Sequence, residues 1–135
     1  MVNGLAVVVA AIAGMVIGAF WYSPSFFGTQ WMKLSGMSKK ALAKAQKKGM
    51  GKTYLAAFIA VLIMSYVLAQ FIKYTKANTI AEGAVIGFWL WLGFIATTML
   101  NSVLWEQRPR KLYYINVGHY LITLLIMGAI LAVWA

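Results

Sequence analysis

Four apolar runs, at residues 2–22, 53–72, 83–105 and 112–134, contain no Asp, Glu, Lys or Arg. Each is long enough, at ~1.5 Å per helical residue, to cross a hydrocarbon core of ~30 Å. Every one of the 12 Lys and Arg residues and both acidic residues falls between the runs. The chain is 63% hydrophobic and 10% charged, whereas about a quarter of the residues of a soluble domain are charged. In lipid a spanning segment must satisfy its own backbone, so the runs predict helices. The expected fold is all-α: an integral membrane four-helix bundle, one domain over residues 1–135. The first run reads as an uncleaved anchor, because Met1-Val2-Asn3-Gly4 lacks the positive start of a signal peptide.

Charge sets the orientation. The first connection carries seven basic residues (Lys33, Lys39, Lys40, Lys44, Lys47, Lys48 and Lys52) and the third carries three (Arg108, Arg110 and Lys111). The second carries only Lys73 and Lys76. The positive-inside rule therefore puts the first and third connections in the cytoplasm and both termini outside. Residues 23–52 form a basic cytoplasmic loop. Within it Ser38 is placed to cap a short basic helix, which Gly49 and Gly51 end. The expected partner of Lys39, Lys40, Lys44, Lys47, Lys48, Arg108, Arg110 and Lys111 is anionic lipid headgroup, not nucleic acid. With no cysteine in the chain, disulfides, thiol redox chemistry and cysteine-held metals are excluded.

Small residues mark where helices can approach. Ala6, Ala10, Gly14 and Gly18 recur every fourth residue of the first run, and Gly83 and Gly87 form a second GxxxG pair. Such faces allow close contact in lipid, within one chain or between copies. Trp21, Tyr22, Ser23, Pro24 and Trp31 lie where the first run ends, and Pro24 disfavours helix at Ser23. This is an aromatic belt suited to the headgroup level.

The third and fourth runs carry most of the polar groups at membrane depth. At ~100° per residue, Gly83, Gly87, Phe94, Thr97, Thr98 and Asn101 fall on one side of the third helix. Asn116, His119, Tyr120, Thr123 and Met127 share a side of the fourth. A hairpin turning near Arg108 and Pro109 would bring Asn101 level with Asn116, Thr98 with His119 and Thr97 with Tyr120. These six residues are the candidate polar cluster. It is either interhelical hydrogen bonding or a small vestibule open to the cytoplasm. His119 is the only histidine, and one histidine without nearby Cys or carboxylates makes no metal site.

Two stretches carry a family resemblance. Gly18-Ala19-Phe20-Trp21-Tyr22-Ser23-Pro24 with Phe27-Gly28 and Trp31-Met32 is the first. The second joins Asn101-x-x-Leu104-x-Glu106-x-Arg108-Pro109 to Leu112, Ile115-Asn116-x-Gly118 and the 127–132 stretch MGAILA. Together they resemble a bacterial family of small membrane proteins known as domain of unknown function 1761. The resemblance implies four spans in a prokaryotic inner membrane. It carries no catalytic residues.

No P-loop, dinucleotide fingerprint, nucleophile elbow or HExxH is present. No catalytic residue, metal or cofactor is expected. The reading that follows is a self-associating membrane scaffold or interaction protein, a homo-oligomer without enzymatic activity. The alternative is an oligomeric passive pore or small-solute carrier, with Asn101, Asn116 and His119 lining its cytoplasmic vestibule.

Overall fold

Each apolar run is a helix, and polar caps set where two of them begin. The computed structural model describes residues 2–36, 39–47, 49 and 51–134. Asn3 opens α1 (Gly4–Trp21): its Oδ1 accepts from the amides of Leu5 at 3.0 Å and Ala6 at 3.2 Å. Those donors would otherwise be left open at the helix N-terminus. After α1 the chain doubles back sharply. The amides of Phe26 and Gly28 donate to the Ser23 carbonyl, and that of Phe27 to the Trp21 carbonyl. A side chain at position 28 would run into the backbone of Tyr22 and Ser23, so this return needs glycine. Two short helices follow, α2 (Gly28–Ser35) and the basic α3 (Lys39–Lys47).

Helix α4 (Gly51–Thr75) crosses back. Thr79 then caps α5 (Ile80–Leu104): its Oγ1 accepts from the Glu82 amide at 3.1 Å, and its hydroxyl donates to the Glu82 carboxylate at 2.9 Å. Glu82 stands in the first turn, where the helix dipole favours a negative charge. Helix α5 is not uniform. It is α-helical to Leu90, π-helical over Trp91–Ala96, α-helical again at Thr97–Met99, and broken at Leu100 before a last turn, Asn101–Leu104. Helix α6 (Arg110–Trp134) completes the chain. Helices α1, α4, α5 and α6 are each long and apolar enough to cross a membrane, and the described residues contain no strand.

Helix α6 is the hub, packing against α1, α2, α4 and α5. Its Leu112, Ile115, Leu124, Met127 and Leu131 are buried. The closest approach is between α5 and α6. Gly83 faces Gly128, and Gly87 faces the Leu124 carbonyl, so closely that a Cβ at any of these three glycines would enter the opposing backbone. The small-residue stripe of α1 is also used inside the protomer. Ala6 and Ala10 are buried, Gly14 meets Val61, Met127 and Thr123, and Gly18 meets His119. Ser65, fully buried, ties α4 to α1 by donating to the Val7 carbonyl at 2.8 Å. The outward faces stay apolar, with Leu5, Ile12 and Val16 on α1 and Leu55, Ile59 and Ile63 on α4 all exposed.

Candidate functional site

The end of α1 and the start of α6 meet in a cluster of aromatic and polar side chains. Pro24 sits two residues past Tyr22, so α1 stops with Trp21 and Tyr22 at its end. From there Trp21 donates through Nε1 to the Ile115 carbonyl at 2.9 Å. Tyr22 donates its hydroxyl to Asn116 Oδ1 at 2.7 Å. Gly118 leaves room for the Trp21 ring: a Cβ there would lie 3.2 Å from Cζ2. One turn deeper, His119 packs against Gly18, where a Cβ would lie 3.2 Å from Nε2. The two stretches that carry the family resemblance thus touch in space, residue against residue.

Aromatic rings enclose His119. Its ring centroid lies 4.8 Å from Tyr120, 5.2 Å from Tyr22 and 6.4 Å from Trp21. Trp31 of α2 closes over Tyr22 edge-on at 5.9 Å, and Phe27 packs on Trp21 at 4.8 Å. Both imidazole nitrogens are buried, without a hydrogen-bond partner among the described residues. No group of three or more His, Cys, Asp or Glu side chains able to hold a metal occurs among the described residues. What the cluster does is mechanical: the indole of Trp21 and the phenol of Tyr22 tie the end of α1 to the first turns of α6, and α2 packs on that junction through Trp31. Trp91 does the same from α5, donating to the Val117 carbonyl at 2.7 Å, and Tyr113 returns a bond to the Ala96 carbonyl at 2.7 Å.

The candidate polar cluster is divided. Asn116, His119 and Tyr120 belong to the assembly just described, whereas Thr97, Thr98 and Asn101 are exposed on the far side of α5. The expected pairing of Asn101 with Asn116 is replaced by the Tyr22–Asn116 bond. Two features of the backbone cause this. A π turn advances less per residue than the ~100° of an α-helix, so Trp91–Ala96 shifts the face by on the order of one residue. Gly83 and Gly87 therefore face α6 while Phe94, Thr97, Thr98 and Asn101, expected on the same side, face out. The reversal also begins early. The Asn101 carbonyl accepts from Trp105 and Glu106, and the Ser102 carbonyl from Arg108. Ala96 consequently stands opposite Tyr113, roughly two helical turns from the partner that a bend at Pro109 would give it.

The other expected residues fall as follows. Ser23 donates its hydroxyl to the Phe20 carbonyl at 2.7 Å, and the Pro24 carbonyl accepts from Thr29 at 3.3 Å, so both stabilise the return turn. Lys40, Lys44, Lys47, Arg108, Arg110 and Lys111 are exposed. Ser38, Lys48 and the side chain of Lys39 lie outside the described residues. Sequence reasoning missed the Trp21–Ile115, Tyr22–Asn116 and Trp91–Val117 links. A depth match between the end of the first run and the start of the fourth points to the first two. Nothing in the sequence marks the π turn that positions the third.

A family model described as a protein of unknown function (DUF1761) matches residues 5–132. No curated protein and no solved structure matches the chain.

Proposed function

This chain belongs to the DUF1761 family, and we propose that it is a membrane interaction protein that associates with its own copies through the outward face of α5. One observation carries this reading. Gly93, Thr97 and Asn101 recur every fourth residue and are all exposed, with Thr98 beside them. A Cβ on Gly93 would meet nothing within 4 Å. The Thr98 hydroxyl and the Asn101 amide have no partner among the described residues. Small residues let a second backbone approach, and hydroxyl and amide groups facing hydrocarbon gain by bonding across helices, ~0.6 kcal/mol each on average. The small faces of α1 and of Gly83 and Gly87 are consumed within the protomer, whereas this stripe is open to a neighbour. A solute path through Asn101, Asn116 and His119 has less support, since Asn101 faces away from the other two. The ten-to-two imbalance of basic residues supports an orientation with both termini outside and α3 against anionic headgroups in the cytoplasm.

Gly93→Trp tests the proposal without touching the fold. A Cβ at this position meets nothing within 4 Å, so stability should change by about 0.5 kcal/mol or less. The particle mass in detergent, measured by light scattering, should fall from an oligomer to a single chain. An oligomer of unchanged mass, or a wild type that is already monomeric, contradicts the proposal.

A further inference from the structure

At the end of the bundle opposite the basic loop, a cavity of about 280 Å³ opens between α1, the end of α4 and α6. Its floor is apolar, with Ala69 and Leu131. Its rim is polar and cationic, with Asn3, Lys73, Lys76 and Asn78. No carboxylate lines it. The nearest acidic residue in sequence, Glu82, is bonded to Thr79 and lines a neighbouring cavity. Neither lysine forms an ion pair or side-chain hydrogen bond among the described residues. Asn3 spends its Oδ1 on capping α1, which leaves its NH2 group free to donate.

The backbone supplies an independent pointer. Helix α4 ends in a Schellman turn: the Ala77 amide donates to the Ile72 carbonyl and the Lys76 amide to the Lys73 carbonyl, both at 3.2 Å. The turn sets Lys76 at φ +58°, a left-handed conformation that glycine ordinarily fills. Lys76, held there against backbone preference, is one of the residues that line the cavity. Outliers of this kind concentrate at ligand clamps.

We propose that this cavity binds the phosphate of an anionic phospholipid, clamped by Lys73 and Lys76, with the amides of Asn3 and Asn78 as further donors. The apolar floor takes the glycerol and the first acyl carbons. Free phosphate offers the same charge but leaves the apolar part of the cavity, lined by Val2, Ala6, Ala69, Ile72 and Leu131, unfilled, so the lipid is the occupant. The site lies away from the outward face of α5 and stands independently of self-association.

Native mass spectrometry of the full chain released from nonionic detergent tests this, with dioleoylphosphatidylglycerol, dioleoylphosphatidylcholine or inorganic phosphate added. The wild type should retain one phosphatidylglycerol in preference to the other two. Lys76→Gly should weaken that retention about five- to tenfold. Its unfolding temperature should hold or rise, because glycine suits the left-handed position. Lys73→Gln should weaken retention similarly without altering the turn, and so serves if Lys76→Gly folds poorly. Undiminished retention by Lys76→Gly and Lys73→Gln overturns the site. Equal retention of phosphatidylcholine or of inorganic phosphate overturns the assignment to an anionic lipid.

Discussion

Gly87→Leu should destabilise the protein by about 3 kcal/mol or more, at the upper end of what overpacking costs. At Gly87 a Cβ alone would enter the Leu124 carbonyl on α6. The obstruction is backbone, which cannot rotate aside, so α5 and α6 must separate. That separation also pulls Gly83 from Gly128 and stretches the 2.7 Å bond from Trp91 to the Val117 carbonyl. Gly93→Leu is the matched control. It makes the same chemical change on the same helix, at a position where a Cβ meets nothing within 4 Å, and should cost less than about 0.5 kcal/mol. Equilibrium unfolding in mixed micelles measures both. Similar losses for the two variants would mean that the α5–α6 contact does not set the cost, since the gain in helix propensity from Gly to Leu is the same at both positions.

Trp21→Ala should cost about 3 kcal/mol, near the lower end for a tryptophan truncated to alanine because Trp21 is only half-buried. The indole holds three things together. Its Nε1 bonds the Ile115 carbonyl, its ring fills the space above Gly118, and its faces pack on Phe26 and Phe27 in the return turn. Trp21→Phe separates these contributions. The ring contacts persist and the hydrogen bond is lost, so the cost should fall to about 1 kcal/mol. Equal losses from the two variants would place the whole effect in the hydrogen bond and none in the packing.

These two sites differ in how readily the sequence discloses them. Glycines four apart on an apolar helix announce a close contact, and the Gly83–Gly87 pair makes one. The spacing alone does not say whether the partner lies in the same chain; the groove at Leu124 and Gly128 answers that. The aromatic end of α1 is legible as an interfacial feature, since a proline halts the helix and the rings have polar tips. That Trp21 and Tyr22 reach Ile115 and Asn116 depends on α1 and α6 being neighbours, which composition does not encode. The polar face of the third span is misread for a different reason. A constant 100° per residue groups Gly83 and Gly87 with Thr97 and Asn101, and a π turn between them splits the set. Hydrogen bonds of the i→i+5 kind leave no composition signal, and the stretch WLGFIA looks like any apolar helix. The break at Leu100 and the return bonds from Trp105, Glu106 and Arg108 add a second error, because the charged knot suggests a bend at Pro109.

The outward turn of α5 gives the molecule a polar, small-residue face with nothing inside the protomer to meet it. Disulfide cross-linking in native membranes tests that face most directly, and a chain without cysteine makes each introduced thiol unambiguous. Thr97→Cys places a thiol on the exposed stripe, and Ile63→Cys places one on the exposed apolar side of α4. Association through α5 predicts a covalent dimer from Thr97→Cys under mild oxidation and none from Ile63→Cys. A dimer from both in equal yield, or from Ile63→Cys alone, or from neither, would contradict it.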